Sequence, residues 1–136
     1  KRLLEACERR PNEPTFLVYM ARIRLIQDRL DDALEVAQLV PSTGDLGMRA
    51  RLIAAAVCLR KNRAEEAMKI LEQAINDMPN APEPYFNMAI VMLRLPKFDP
   101  DRNIAAEYYK KSVELGGARS LSLERRFNMV EAKDQQ

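Results

Sequence analysis

The chain has 136 residues, of which 47% are hydrophobic and 31% charged, the balance of a soluble helical protein. Its 22 basic and 20 acidic residues leave a formal charge of +2, which builds in no general attraction to nucleic acid or anionic lipid. The longest apolar run, Leu52 to Leu59, spans eight residues, far short of the roughly 18 needed to cross a bilayer, so no membrane insertion is expected.

Residues 1–12 open in the register of a second helix, with Leu3, Leu4 and Ala6 apolar and Pro11 ending it. Because its first helix is missing, the sequence reads as a fragment of a longer protein, with no visible targeting segment and no compartment indicated. Residues 13–27 and 30–40 are expected as a helix pair with Asp28 and Arg29 in the turn. Pro41 cuts the second of these short, and Ser42 to Gly47 read as a loop. Residues 47–61 and 64–78 form the next pair, joined through Asn62 and Arg63. In it Ala67, Ile70, Leu71, Ala74 and Ile75 recur at the three- and four-residue spacing of an amphipathic helix. Pro79 stops that helix, Asn80 is the expected N-cap of the next, Pro82 suits its first turn, and Glu83 completes an Asn-x-x-Glu capping pattern.

Residues 82–95 open a third pair, interrupted by four added residues within Pro96 to Asn103. An enlarged loop and an extra turn on the second helix both fit. Asp99 followed by Pro100 reads as an N-cap with proline at the first helical position, which favours the turn. Gly116 and Gly117 supply the stop, and Leu123, Phe127 and Val130 then fall on one face behind Ser120 as a capping helix, or as the opening helix of a further repeat, before a frayed tail.

A step of 34 residues carries these features into one another. Pro79 maps through Asp45 to Pro11, Ala89 through Ala55 to Ala21, and Ala67 to Ala33; downstream, four residues later than that step, Ala67 maps to Ala105 and Ala74 to Ser112. Small residues thus recur where paired helices approach closely. With Tyr85 as the first-helix aromatic, Met88-Ala89 in place of a Leu-Gly pair, and Ile104 to Gly117 as a second helix, the sequence resembles the tetratricopeptide repeat family. That resemblance implies an all-α fold, a right-handed superhelical solenoid of antiparallel helix pairs with a concave inner face. It divides the chain into a partial unit at 1–12, repeats at 13–47, 48–81 and 82–119, and a capping helix with tail at 120–136.

Catalytic chemistry finds few residues to work with. The absence of histidine removes the commonest general base and metal ligand. Cys7 and Cys58 lie on expected buried faces and read as reduced core thiols, with no disulfide or zinc spacing. Asp31-Asp32 and Glu65-Glu66 sit in first helical turns, where they complement the helix dipole. No enzyme, cofactor, metal or catalytic residue is expected.

The resemblance places one face of each first helix on the concave groove, carrying over Val18, Arg22 and Leu25, then Leu52, Ala56 and Leu59, then Phe86, Ile90 and Leu93, with Asn87 matching an inner-face asparagine. The family's clamp for chain-terminal acids places Lys and Asn where this chain has Val18, Leu52 and Phe86, and Arg22, Ala56 and Ile90, so an acidic terminus is not the expected ligand. What the stripe implies is a protein or peptide partner offering an apolar or amphipathic segment. A second reading is self-association into a homo-oligomer, the stripe being covered by missing repeats or another copy. The arginines at 22, 24, 49, 51, 60 and 94 are offset by nearby acids and lack stacking aromatics, so nucleic acid is not expected.

Overall fold

The computed structural model describes residues 13–129, so the expected helix at 1–12 with Cys7, and the tail from Val130, lie outside the described residues. Their regular structure consists of seven helices: α1 (Pro14–Ile26), α2 (Leu30–Gln38), α3 (Gly44–Arg60), α4 (Ala64–Asp77), α5 (Pro82–Leu93), α6 (Asn103–Glu114) and α7 (Leu121–Arg126). The chain divides into two compact units between Pro79 and Asn80. In the first unit α1 packs against α2 and α3, α2 against α3, and α3 against α4; in the second, α5 packs against α6.

The helix ends repeat as the sequence does. Asp28 takes a left-handed φ of 61°, its N–H donating to Leu25 O at 3.0 Å while Arg29 N–H reaches Arg24 O at 2.8 Å. Asn62, 34 residues on, has the same φ of 61° and the same pair of bonds, to Leu59 O at 3.1 Å and from Arg63 to Cys58 O at 2.8 Å. Gly116 and Asn128 close α6 and α7 in this way too. Each such turn satisfies two carbonyls that the helix leaves without partners, at a residue type that tolerates positive φ. Between the ends, Ala21, Ala55 and Ala89 on the first helices and Ala33, Ala67 and Ala105 on the second are all buried. A methyl side chain at these positions leaves room for the backbones to approach.

The core of the first unit gathers Leu17, Val18, Ala21, Ala37, Val40, Ala50 and Ile53, with Leu25, Val36 and Leu46 packed against it. On α4, Ala67, Leu71 and Ala74 are buried at the expected spacing. In the second unit Ala89, Tyr109 and Leu123 form a cluster flanked by Phe86, Leu93, Tyr108, Val113 and Phe127. Tyr109 is its hub, 6.3 Å from the Phe86 ring and 6.0 Å from the Phe127 ring between centroids. Aromatic pairs at such separations add about 0.5–1.5 kcal/mol to the burial itself.

Three expectations are corrected. Helix α3 begins at Gly44, inside the stretch expected as a loop, because both glycines serve the helix start. Gly44 supplies a φ of 73°, and a Cβ on Gly47 would lie 2.7 Å from Pro41 O, so only glycine lets the incoming chain cross the first turn. Helix α5 has Ala81, not Asn80, at its N-cap and no side-chain capping bond. With Pro82 first and Pro84 third in the helix, the N–H that a capping box needs at the third position is missing. Finally, the insertion is a loop and not a helical turn: α6 starts only at Asn103, after Arg102 at a left-handed φ of 61°. Asp99 still caps that helix, from a distance. Its buried carboxylate accepts from Ile104 N–H at 3.0 Å and Ala105 N–H at 2.8 Å, folding the loop back over the helix N-terminus.

Candidate functional site

Helix α5 carries more apolar surface than its packing consumes. From Tyr85 to Leu95 only Asn87 and Arg94 are polar. Pro84, Tyr85, Met88, Ala89, Val91 and Met92 are buried, which accounts for two faces of the helix, while Phe86, Asn87, Ile90 and Leu93 stay half-buried. Phe86 and Leu93 also lean on the Tyr109 cluster, so they divide their surface between core and solvent.

In the first unit, α1 and α3 lie side by side. Arg60 Nη1 donates to Leu25 O at 2.8 Å and so ties the end of α3 to the end of α1. Leu25, Leu52, Ala56 and Leu59 are half-buried and Arg22 is exposed. Val18 is different: at 3% exposure it belongs to the core cluster and offers no surface to a partner, because the α1 face that meets α2 and α3 rotates it inward.

The arginines and lysines of this unit are largely occupied by their own chain. Arg51 bonds to Asp77 and to Gln73 O, Lys61 bonds to Asp31, and Arg49 meets Asp45 at 2.9 Å one turn away. Lys61 holds the Asp31 carboxyl below its ordinary range, first by the hydrogen bond and then by its charge. These pairs are exposed, so each contributes little stability but does hold a long side chain in place. Cys58 is a buried free thiol, its Sγ 3.9 Å from Glu66 Oε2, and burial pushes its pKa up, away from the depressed range of reactive thiols. Among the described residues no group of three or more His, Cys, Asp or Glu is placed to hold a metal ion.

Two clefts of the second unit are lined in part by residues of α5. One, of about 480 Å³, is walled by Tyr85, Ile104 and Tyr108, with Tyr85 and Tyr108 rings 6.4 Å apart and Glu107 and Lys111 at its edge. Sequence reasoning missed it: Ile104 and Tyr108, four residues apart on one helix face, were the available signal, but the stretch reads only as a second helix of the repeat. The other, of about 360 Å³, contains two of the expected groove residues, Phe86 and Asn87, together with Pro82, Glu83, Ser112, Gly116, Gly117 and Ala118. Beyond it, Glu124 on α7 is buried and accepts from Tyr109 Oη at 2.5 Å and from Arg119 Nε at 2.8 Å. These partners, Arg119 foremost, lower the Glu124 pKa to about 2.

No family model matches the sequence, and no curated protein matches it. Among solved structures, the chain is similar to PilF of Pseudomonas aeruginosa, with a TM-score of 0.69 and 17% identity, covering 93% of this chain and 59% of that one. It is also similar to MamA, with a TM-score of 0.54 and 15% identity, covering 83% of this chain and 84% of the other. Both are tetratricopeptide-repeat proteins, and this chain has their helical-repeat fold. It spans 59% of the PilF chain's length.

Proposed function

We propose that the chain is a non-enzymatic protein-interaction module that takes an apolar or amphipathic segment of a partner on the free faces of its first helices. The observation that carries this reading is α5, whose Phe86, Ile90 and Leu93 remain half-buried after two other faces of the helix have been covered. Leu52, Ala56 and Leu59 repeat the arrangement on α3. Half-exposed aliphatic and aromatic side chains on one helix face suit the helix-in-groove mode, in which a partner's apolar stripe supplies the missing cover. Three basic side chains of the first unit, Lys61, Arg49 and Arg51, are tied to Asp31, Asp45 and Asp77.

The test uses amphipathic helical peptides selected by display against the whole chain. Ile90→Asp and Ala56→Asp are the probes of choice, since Phe86 also packs on Tyr109 and its loss would disturb the core. Ile90→Asp is expected to weaken peptides that dock on the second unit and Ala56→Asp those that dock on the first, each at least about tenfold with the circular dichroism spectrum unchanged, as removal of an anchor costs roughly 2 kcal/mol. Raising salt to about 0.5 M should change affinity less than about twofold, because surface ion pairs do not drive the contact. Peptides that bind both variants as well as the parent chain would move the site elsewhere.

A second reading, self-association, is favoured by Tyr19 and Ile26, which lie seven residues apart on α1 and are 42% and 75% exposed. Sedimentation over a range of concentrations separates the two, since a mass that stays that of one chain removes the second.

A further inference from the structure

The cleft at the C-terminal end of α6 has features that apolar docking does not require. Ser112 is 1% exposed, and its hydroxyl has no hydrogen-bond partner. A buried hydroxyl left unsatisfied is destabilising, and the equivalent position one repeat earlier is Ala74, which carries no such group. Gly117 packs directly against it: a Cβ there would lie 2.6 Å from Ser112 Oγ and 3.0 Å from Pro82 Cβ, so only glycine fits at the floor of the cleft. Phe86 supplies an aromatic wall and Asn87 a half-buried amide.

The only full charge in the cleft is negative, while the partial positive charge of the α5 N-terminus at Pro82 opposes that of the α6 end. Glu83 is the single charged residue among those that line it. The end of α6 adds the partial negative charge of a helix C-terminus. The nearest basic groups in sequence are turned to other tasks, Arg119 to the Glu124 carboxylate and Lys111 to the edge of the neighbouring cleft.

We propose that this cleft receives the cationic side chain, lysine or arginine, of the partner segment. The methylene stem lies along Pro82 and Phe86, the cation faces Glu83 and the Phe86 ring, and the Asn87 carbonyl and Ser112 hydroxyl accept its hydrogen bonds. The proposal deepens the reading above, since Phe86 and Ile90 share α5, and gives the partner a chemistry: apolar anchors with one basic residue beside them.

Small probes test the cleft without the apolar face. n-Butylammonium and ethylguanidinium are titrated into the whole chain while backbone amide resonances are followed, with butyrate as the anionic control. Both cations should shift the amides of Phe86, Asn87, Gly116 and Gly117 saturably, and butyrate should not. Glu83→Gln, at an exposed position, is expected to weaken both cations about fivefold, and Asn87→Asp, which adds a second carboxylate, to strengthen them. The proposal is overturned if butyrate moves the same amides as strongly, if neither cation moves them, or if Glu83→Gln binds like the parent. Cation binding that survives while selected apolar peptides fail removes the groove reading alone; peptides that bind while the cations do not remove only this one.

Discussion

Glu124 shows what one buried carboxylate does in a short helix. Held by Tyr109 Oη at 2.5 Å and by both Nε and Nη2 of Arg119, it fastens α7, only six residues long, to α6. Its folded pKa of about 2 lies below the ordinary 4.5, so the folded state binds a proton less readily than the unfolded chain. The stabilisation is therefore complete above pH 4.5 and is lost as pH falls from 4.5 toward 2. Tyr109 shifts the other way, raised mainly by burial, so its share is lost as pH rises past 10. Thermal melts of the parent chain should fall steeply through the acid window, whereas Glu124→Gln, less stable at neutral pH, should fall less steeply there. Parallel acid profiles for the two proteins would show that Glu124 carries no part of this dependence.

At the scale of an element, the segment from Pro96 to Arg102 departs furthest from a regular repeat. It is a loop closed on itself by Asp99, whose carboxylate takes two N–H groups at the start of α6 and is 5% exposed. Asp99→Ala should cost about 0.5–2 kcal/mol in chemical denaturation, the loss of an N-cap, with Asp99→Asn retaining part of it. A cost within error would mean that the loop holds its shape without the carboxylate. The sequence marked Asp99 as a cap correctly and misjudged its distance. An N-cap is ordinarily the residue next to the helix, here Arg102, and a contact from three residues further upstream is a property of the folded loop, not of local spacing.

For the whole molecule, the small residues offer a test of how the two units share stability. Ala55 is buried in the first unit and Ala89 in the second, and each sits where a first helix approaches its partner. Ala55→Leu and Ala89→Leu should each cost roughly 1–3 kcal/mol by overpacking. Because the two sites belong to separate clusters, the double variant should lose the sum of the single costs to within about 0.5 kcal/mol. A shortfall or excess well beyond that, measured by urea denaturation, would reveal coupling between them.

Legibility followed the physics of each feature. Helix existence, the 34-residue step and the buried alanines could be read directly, since a 3.6-residue period and a side-chain size limit are written one residue at a time. The fourfold use of left-handed turns was half visible, through Asn62 and Gly116. What only the tertiary structure decided was which apolar residue is core and which is surface. Val18 and Leu52 occupy equivalent positions 34 residues apart, yet Val18 is buried at 3% and Leu52 is half-exposed. Burial depends on neighbours brought in from distant parts of the chain, and a local period cannot report them. The cleft at Gly117 was hidden for the same reason: an empty volume between Pro82 and Ser112, 30 residues apart, exists only once their helices are packed.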